Sequence, residues 1–150
     1  MPHERATRPR PVLAIDAGNT RIKWGLHDGE GWRRRGHVPT TGAARLARTF
    51  AGLPPLALAI VSNVAGARVR AELARVLPRG VPVRWLASAA AQSGVRNSYA
   101  HPRRLGCDRW AALIAARRLA GGAAAVVVNA GTALTVDALS ADGVFAGGII

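Results

Sequence analysis

The sequence predicts an α/β fold: a unit led by three strands and built on a mixed sheet, followed by the first strands of a second copy. Three observations predict it. Strand-like and helix-like hydrophobic periods alternate along the chain. The stretch Ile15-Asp16-Ala17-Gly18-Asn19-Thr20 returns as Val128-Asn129-Ala130-Gly131-Thr132. Each copy then runs into an alternating segment that ends on an Asp-Gly hairpin signal, at Asp28 and again at Asp142.

Taken in order, 12–17 is an apolar run that reads as a buried strand and ends in the turn Gly18-Asn19-Thr20. Residues 21–27 alternate, with Ile22, Trp24 and Leu26 on one side, and 32–38 is a third strand. Residues 41–50 have helical character with Ala44, Leu46 and Ala47 inward. A strand over 56–62 precedes an amphipathic helix over 66–77, whose apolar stripe is Val69, Leu73, Val76 and Leu77. A short strand covers 81–86, and 87–104 is a loop-rich connector. A third helix runs over 108–120, with Trp110, Leu113, Ile114 and Arg117 at helical spacing, and Gly121-Gly122 stops it. Strands at 123–128, 133–139 and from 144 onward then repeat the opening pattern. The expected organisation is a disordered basic, proline-bearing tail over 1–11, a first domain over 12–120, and the truncated start of a second over 121–150.

Composition narrows the function classes. Of 150 residues, 49% are hydrophobic, enough for a core and too many for wholesale disorder. The apolar run at 123–128 is too short to span a bilayer, and the tail has no apolar h-region of a signal peptide. A single cysteine, Cys107, points to the cytoplasm. The four histidines show no zinc spacing, and no P-loop motif is present. Lys and Arg number 21 against 8 acids, giving a net charge of +13. Lys23 is the single lysine among them, a bias that a GC-rich genome writes on any surface, so nucleic acid is not expected as a partner. The scarce carboxylates carry more information.

Asp16 precedes a Gly-rich turn between two strands. Such a turn presents backbone N–H groups to phosphate oxygens, Thr20 adds a hydroxyl, and Asp16 stands where a divalent cation would be carried. Asp16 and Asn19 serve equally to stabilise a tight β-turn. Two such turns facing each other would clamp a polyphosphate. Asp108 opens the third helix, where an N-cap and a general base are both open to it. Arg109 could pair a substrate carboxylate or face water, Tyr99 reads as a loop residue, and Cys107 as a small buried one.

Asp16-Ala17-Gly18-Asn19-Thr20, Asn97-Ser98-Tyr99, Leu105-Gly106-Cys107-Asp108-Arg109-Trp110, and Ala130-Gly131-Thr132-Ala133 with Thr135-Val136-Asp137 and Gly147-Gly148 resemble a type III pantothenate kinase from residue 12 onward. The resemblance implies RNase H-like (actin-like ATPase) domains in duplicate, of the acetate-and-sugar-kinase/actin superfamily. It implies ATP-dependent phosphorylation of pantothenate to 4'-phosphopantothenate, the first step of coenzyme A synthesis, by a cytoplasmic homodimer. By the same resemblance Asp16, Ala17, Gly18, Asn19, Thr20, Arg21, Ile22 and Lys23 bind ATP phosphates, with Mg²⁺ at Asp16, and Thr132 is a second ATP contact. Tyr99, Gly106, Cys107, Asp108 and Arg109 contact pantothenate, and Asp108 is the proton acceptor. Asn129 stands where the family has an aspartate that binds a monovalent cation, K⁺ or NH₄⁺, so that dependence is in question.

Family members run well beyond the length of this chain, so an isolated first domain with three further strands is expected to leave a sheet edge open to aggregation and to lack robust activity. Two rival readings remain at this stage. One is a non-catalytic regulatory protein on a degenerate kinase fold. The other is an RNase H-like nucleic-acid-binding or nuclease domain that uses Asp16 with Asp137 or Asp108.

Overall fold

The computed structural model describes residues 9–150, so the expectation for a disordered tail falls largely on residues outside those described. The elements are β1 (Val12–Ala17), β2 (Arg21–His27), β3 (Trp32–Pro39), a 3-10 segment (Thr40–Arg45), α1 (Leu46–Ala51), β4 (Leu58–Asn63), α2 (Ala67–Val76) and β5 (Val83–Trp85). They continue with β6 (Ala91–Gln92), β7 (Val95–Asn97), a 3-10 turn (Pro102–Arg104), α3 (Cys107–Leu119), β8 (Ala125–Ala130), β9 (Leu134–Leu139) and β10 (Val144–Ile149). They form two compact units. One holds the chain up to Val61 together with Ala65–Trp85; the other holds Ser62–Val64 and Leu86–Ile150.

In the first unit the strand order is β3-β2-β1-β4-β5. β1 pairs antiparallel with β2, β2 antiparallel with β3, and β4 parallel with β5, which makes the sheet mixed. The alternation of β1 puts Leu13, Ile15 and Ala17 on the core face, and that of β2 adds Ile22 and Leu26. Ala43, Leu46 and Phe50 cover them, with Val69 and Leu73 of α2. The inward residues of the 40–51 segment therefore differ from the expected Ala44 and Ala47, both of which are exposed. The segment opens as a 3-10 turn, where residues three apart stack on one side, and Ala43 and Leu46 follow that period.

In the second unit the order is β6-β7-β10-β9-β8. β8 and β9 are antiparallel, as are β9 and β10, and β10 takes β7 as a parallel partner. The connector 87–104 thus contributes two short strands to this sheet. α3 packs on one face, where Trp110 and Leu113 meet Val95, Leu139 and Phe145. The other face is open: Val126 is 70% exposed, Val128 57% and Leu134 59%. By the internal repeat, Val126, Val128 and Ala130 correspond to Leu13, Ile15 and Ala17, which the first unit buries beneath its helices. The sequence reading divides the chain after Ala120; the compact units divide it near Trp85, because α3 and β7 pack with β8–β10.

Candidate functional site

The first cluster of expected residues lies where β1 turns into β2. Gly18 N–H donates to the carbonyl of Arg21 at 3.0 Å, closing the turn. Thr40 N–H donates to the Thr20 carbonyl at 3.0 Å, and Thr40 Oγ1 donates to the Gly18 carbonyl at 2.7 Å, so the start of the 3-10 segment braces it. Asn19 and Thr20 are exposed. Ala17 and Ile22 are paired across the strands and buried in the core, so only their main chain can meet a ligand. Asp16 and Lys23 are also cross-strand partners, on the opposite face, with Nζ 3.8 Å from Oδ2. Their side chains are 46% and 64% exposed, so this pair contributes little to stability. Arg21 is exposed beside them. A half-exposed single carboxylate next to a phosphate-sized turn is a donor set that Mg²⁺ accepts alongside water and phosphate oxygens.

The second cluster lies within the second unit, at the start of α3. The helix begins at Cys107 with Gly106 as its N-cap, so Asp108 is a first-turn residue rather than the cap. Its Oδ1 accepts the Arg109 N–H at 2.8 Å, so one otherwise free helix N–H is satisfied and the carboxylate direction is set. Gly106 makes room for this: a Cβ there would lie 2.5 Å from Asp108 Oδ1. Cys107 is half-buried rather than buried, with Sγ 3.4 Å from Ser62 Oγ and 3.5 Å from the Asn63 carbonyl. A cavity of about 320 Å³ opens here, lined by Asn63, Ser88, Arg103, Arg104, Gly106 and Cys107 among others.

Tyr99 is not a free loop residue. Its N–H donates to Asn97 Oδ1 at 3.0 Å, and its ring sits 5.2 Å from that of Phe145, centroid to centroid. Arg109 is buried. Its guanidinium forks onto Asp137, with Nε 3.1 Å from Oδ1 and 3.0 Å from Oδ2, and this bond, with Tyr99 nearby, holds its pKa above the ordinary arginine value. Asp137 is the residue whose role here was not legible: it is fully buried and bonded to Arg109, which leaves it no face toward a metal. The sequence marked it as a scarce carboxylate inside the Thr135-Val136-Asp137 motif, with nothing to show that Arg109 is its partner.

The turn after β8 carries the remaining positions. Gly131 N–H donates to the Ala133 carbonyl at 3.1 Å, and Thr132 is exposed. Asn129 donates through Nδ2 to Thr135 Oγ1 at 3.3 Å, which leaves its amide oxygen as an uncharged donor suited to a monovalent cation. Among the described residues no group of three or more His, Cys, Asp or Glu could hold a metal ion. No helix among them is long and apolar enough to cross a membrane.

A profile of the type III pantothenate kinase family matches residues 12–150. The type III pantothenate kinase of Aromatoleum aromaticum is 50% identical over 141 residues, covering 93% of this chain and 57% of that protein. That of Nitrosomonas eutropha is 48% identical over 141 residues, covering 93% and 54%. The chain thus spans little more than half the length of the curated relatives it matches. Among solved structures, the inorganic polyphosphate/ATP-glucomannokinase of Arthrobacter sp. superposes with a TM-score of 0.50 at 20% identity, over 91% of this chain and 60% of that one, a likeness of fold.

Proposed function

The chain belongs to the type III pantothenate kinase family, and from that premise we propose that it carries out, as part of such an enzyme, the ATP-dependent phosphorylation of pantothenate to 4'-phosphopantothenate, the first step of coenzyme A synthesis. The observation that carries the reading is Asp108: a carboxylate aimed by a main-chain N–H in the first turn of α3, directly after Gly106 and Cys107, which line the cavity.

In this reading Asp108 takes the proton of the pantothenate primary hydroxyl. The freed oxygen bonds to the γ-phosphorus of ATP, the bond to the bridging oxygen breaks, and ADP leaves. Tyr99 and the main chain of Gly106, Cys107 and Arg109 orient pantothenate. The turn from Asp16 to Lys23 holds nucleotide phosphates through backbone N–H groups, Thr20 and Lys23, with Thr132 as a further contact. Mg²⁺ held beside Asp16 supplies neutralising charge to the phosphate oxygens. The Asn129 amide oxygen takes K⁺ or NH₄⁺ more weakly than a carboxylate would. The working form is a homodimer in the cytoplasm.

The test is phosphopantothenate formation by the natural full-length protein, with ATP and Mg²⁺ and with Na⁺, K⁺ or NH₄⁺ in turn. Product with ATP consumed in equal measure is the expected result. No product with any of the three cations would leave a non-catalytic member of the family.

A further inference from the structure

Asp137 has none of its surface exposed, in a chain with few carboxylates. A carboxylate taken out of water must be paired and hydrogen-bonded to stay charged. Arg109 does both: Nε reaches the two carboxylate oxygens at 3.1 and 3.0 Å, and Nη2 donates to Oδ1 as well. The guanidinium itself belongs to a residue only 8% exposed. The backbone is shaped around the pair, since any Cβ at Gly148 on β10 would overlap Asp137 Oδ1 and the guanidinium. Phe145, three residues earlier on the same strand, lies with its ring centroid 6.0 Å from the guanidinium carbon.

Arg109 also faces the other way. Its main-chain N–H donates to Asp108 Oδ1 at 2.8 Å. A single residue therefore links a buried carboxylate on β9 to the carboxylate at the start of α3, through its side chain at one end and its main chain at the other. A bidentate fork fixes both position and orientation of the group it holds, which a single hydrogen bond does not.

Resting on the kinase reading above, we propose that Asp137 is a positioning residue: by gripping the Arg109 guanidinium it fixes the first turn of α3 and the direction of the Asp108 carboxylate. It follows that Arg109 meets pantothenate through its main chain only. Its guanidinium is committed to Asp137 and does not clamp the substrate carboxylate.

The test uses the natural full-length protein, Asp137→Asn, and the double variant Arg109→Met/Asp137→Leu. The double variant removes both charges and keeps comparable volume, so it folds even where the single one, with an orphaned guanidinium, does not. The expected result for the double variant is a kcat lower by about 100-fold, the scale of a small misplacement of a reacting group, with KM for pantothenate within about twofold. An unchanged kcat per folded molecule, or a KM that rises with kcat intact, overturns the proposal. A second readout needs no turnover: the main-chain N–H of residue 109, bonded to Asp108 Oδ1 in the wild type, should exchange slowly with solvent there and faster in the double variant. Unchanged exchange overturns the positioning role even if the protein proves inactive. Faster exchange in the variant of a protein whose wild type makes no phosphopantothenate supports it while the kinase reading falls.

Discussion

At the scale of the residue, Asp108 and Gly106 act as a pair. Replacing Asp108 by Asn keeps the shape and removes the proton acceptor, so turnover of the full-length enzyme should fall by about 10²–10⁴-fold while calorimetric ATP affinity stays close to wild type. Equal loss of both would argue against the base role. Gly106→Ala places a methyl group 2.5 Å from Asp108 Oδ1 and must push that carboxylate aside. The displaced atom is the end of a side chain, so the thermal midpoint should hardly move while kcat drops; a midpoint falling in step with activity would point to a folding defect. Asp108 was legible because its neighbours form a compact motif. The Arg109–Asp137 pair was not, because its members are distant in sequence and burial leaves no periodic trace. Only the geometry shows that an arginine open, by sequence, either to a substrate carboxylate or to water is already occupied.

Among the elements, the β2–β3 hairpin gives the sharpest expectation. Asp28 Oδ1 accepts the N–H groups of Glu30 and Gly31 at 3.1 and 3.0 Å, and Oδ2 takes Arg33. The Arg33 bond first, then the Gly31 N–H, pull the Asp28 pKa from its ordinary 3.8 down to about 2. A pKa depressed by folding means a contribution present in full above the ordinary value and lost as pH falls from near 4 through 2. Amide shifts of Glu30 and Gly31 should therefore titrate in that acid window, and in Asp28→Asn they should be flat there. A midpoint at the ordinary carboxylate value would refute the pairing. The strands over Val12–Ala17 and Arg21–His27 were legible to the residue because alternation and the glycine turn agree. The 3-10 segment was not, since its three-residue period mimics a helix closely enough to shift the inward set by one position. The short strands β6 and β7 were not legible either. Two or three residues are too few to show a period, and it is pairing with β10 that makes β7 a strand.

For the whole molecule, the repeat was legible and its consequence for packing was only half so. The sequence pattern marks Val126 and Val128 as strand residues like Leu13 and Ile15, and says nothing of what lies over them. They are the apolar part of an open sheet face, with β8 at the end of the strand order. Val128→Lys should change the thermal midpoint little, as exposed substitutions do, and should lower concentration-dependent light scattering of the 150-residue chain. Unchanged scattering would show that this face does not drive association. The parallel pairing of β7 with β10 carries a consequence for biosynthesis. All strands of the first sheet have been made once Trp85 has been added, so that sheet can assemble while later residues are still on the ribosome. β7 must wait, unpaired with its central neighbour, until Val144 and Phe145 have been translated, and the loop between them must then close. The segment that bears Asp108 is thus held in place only after Val144 and Phe145 have been synthesised, and it is in that interval that a chaperone would find it.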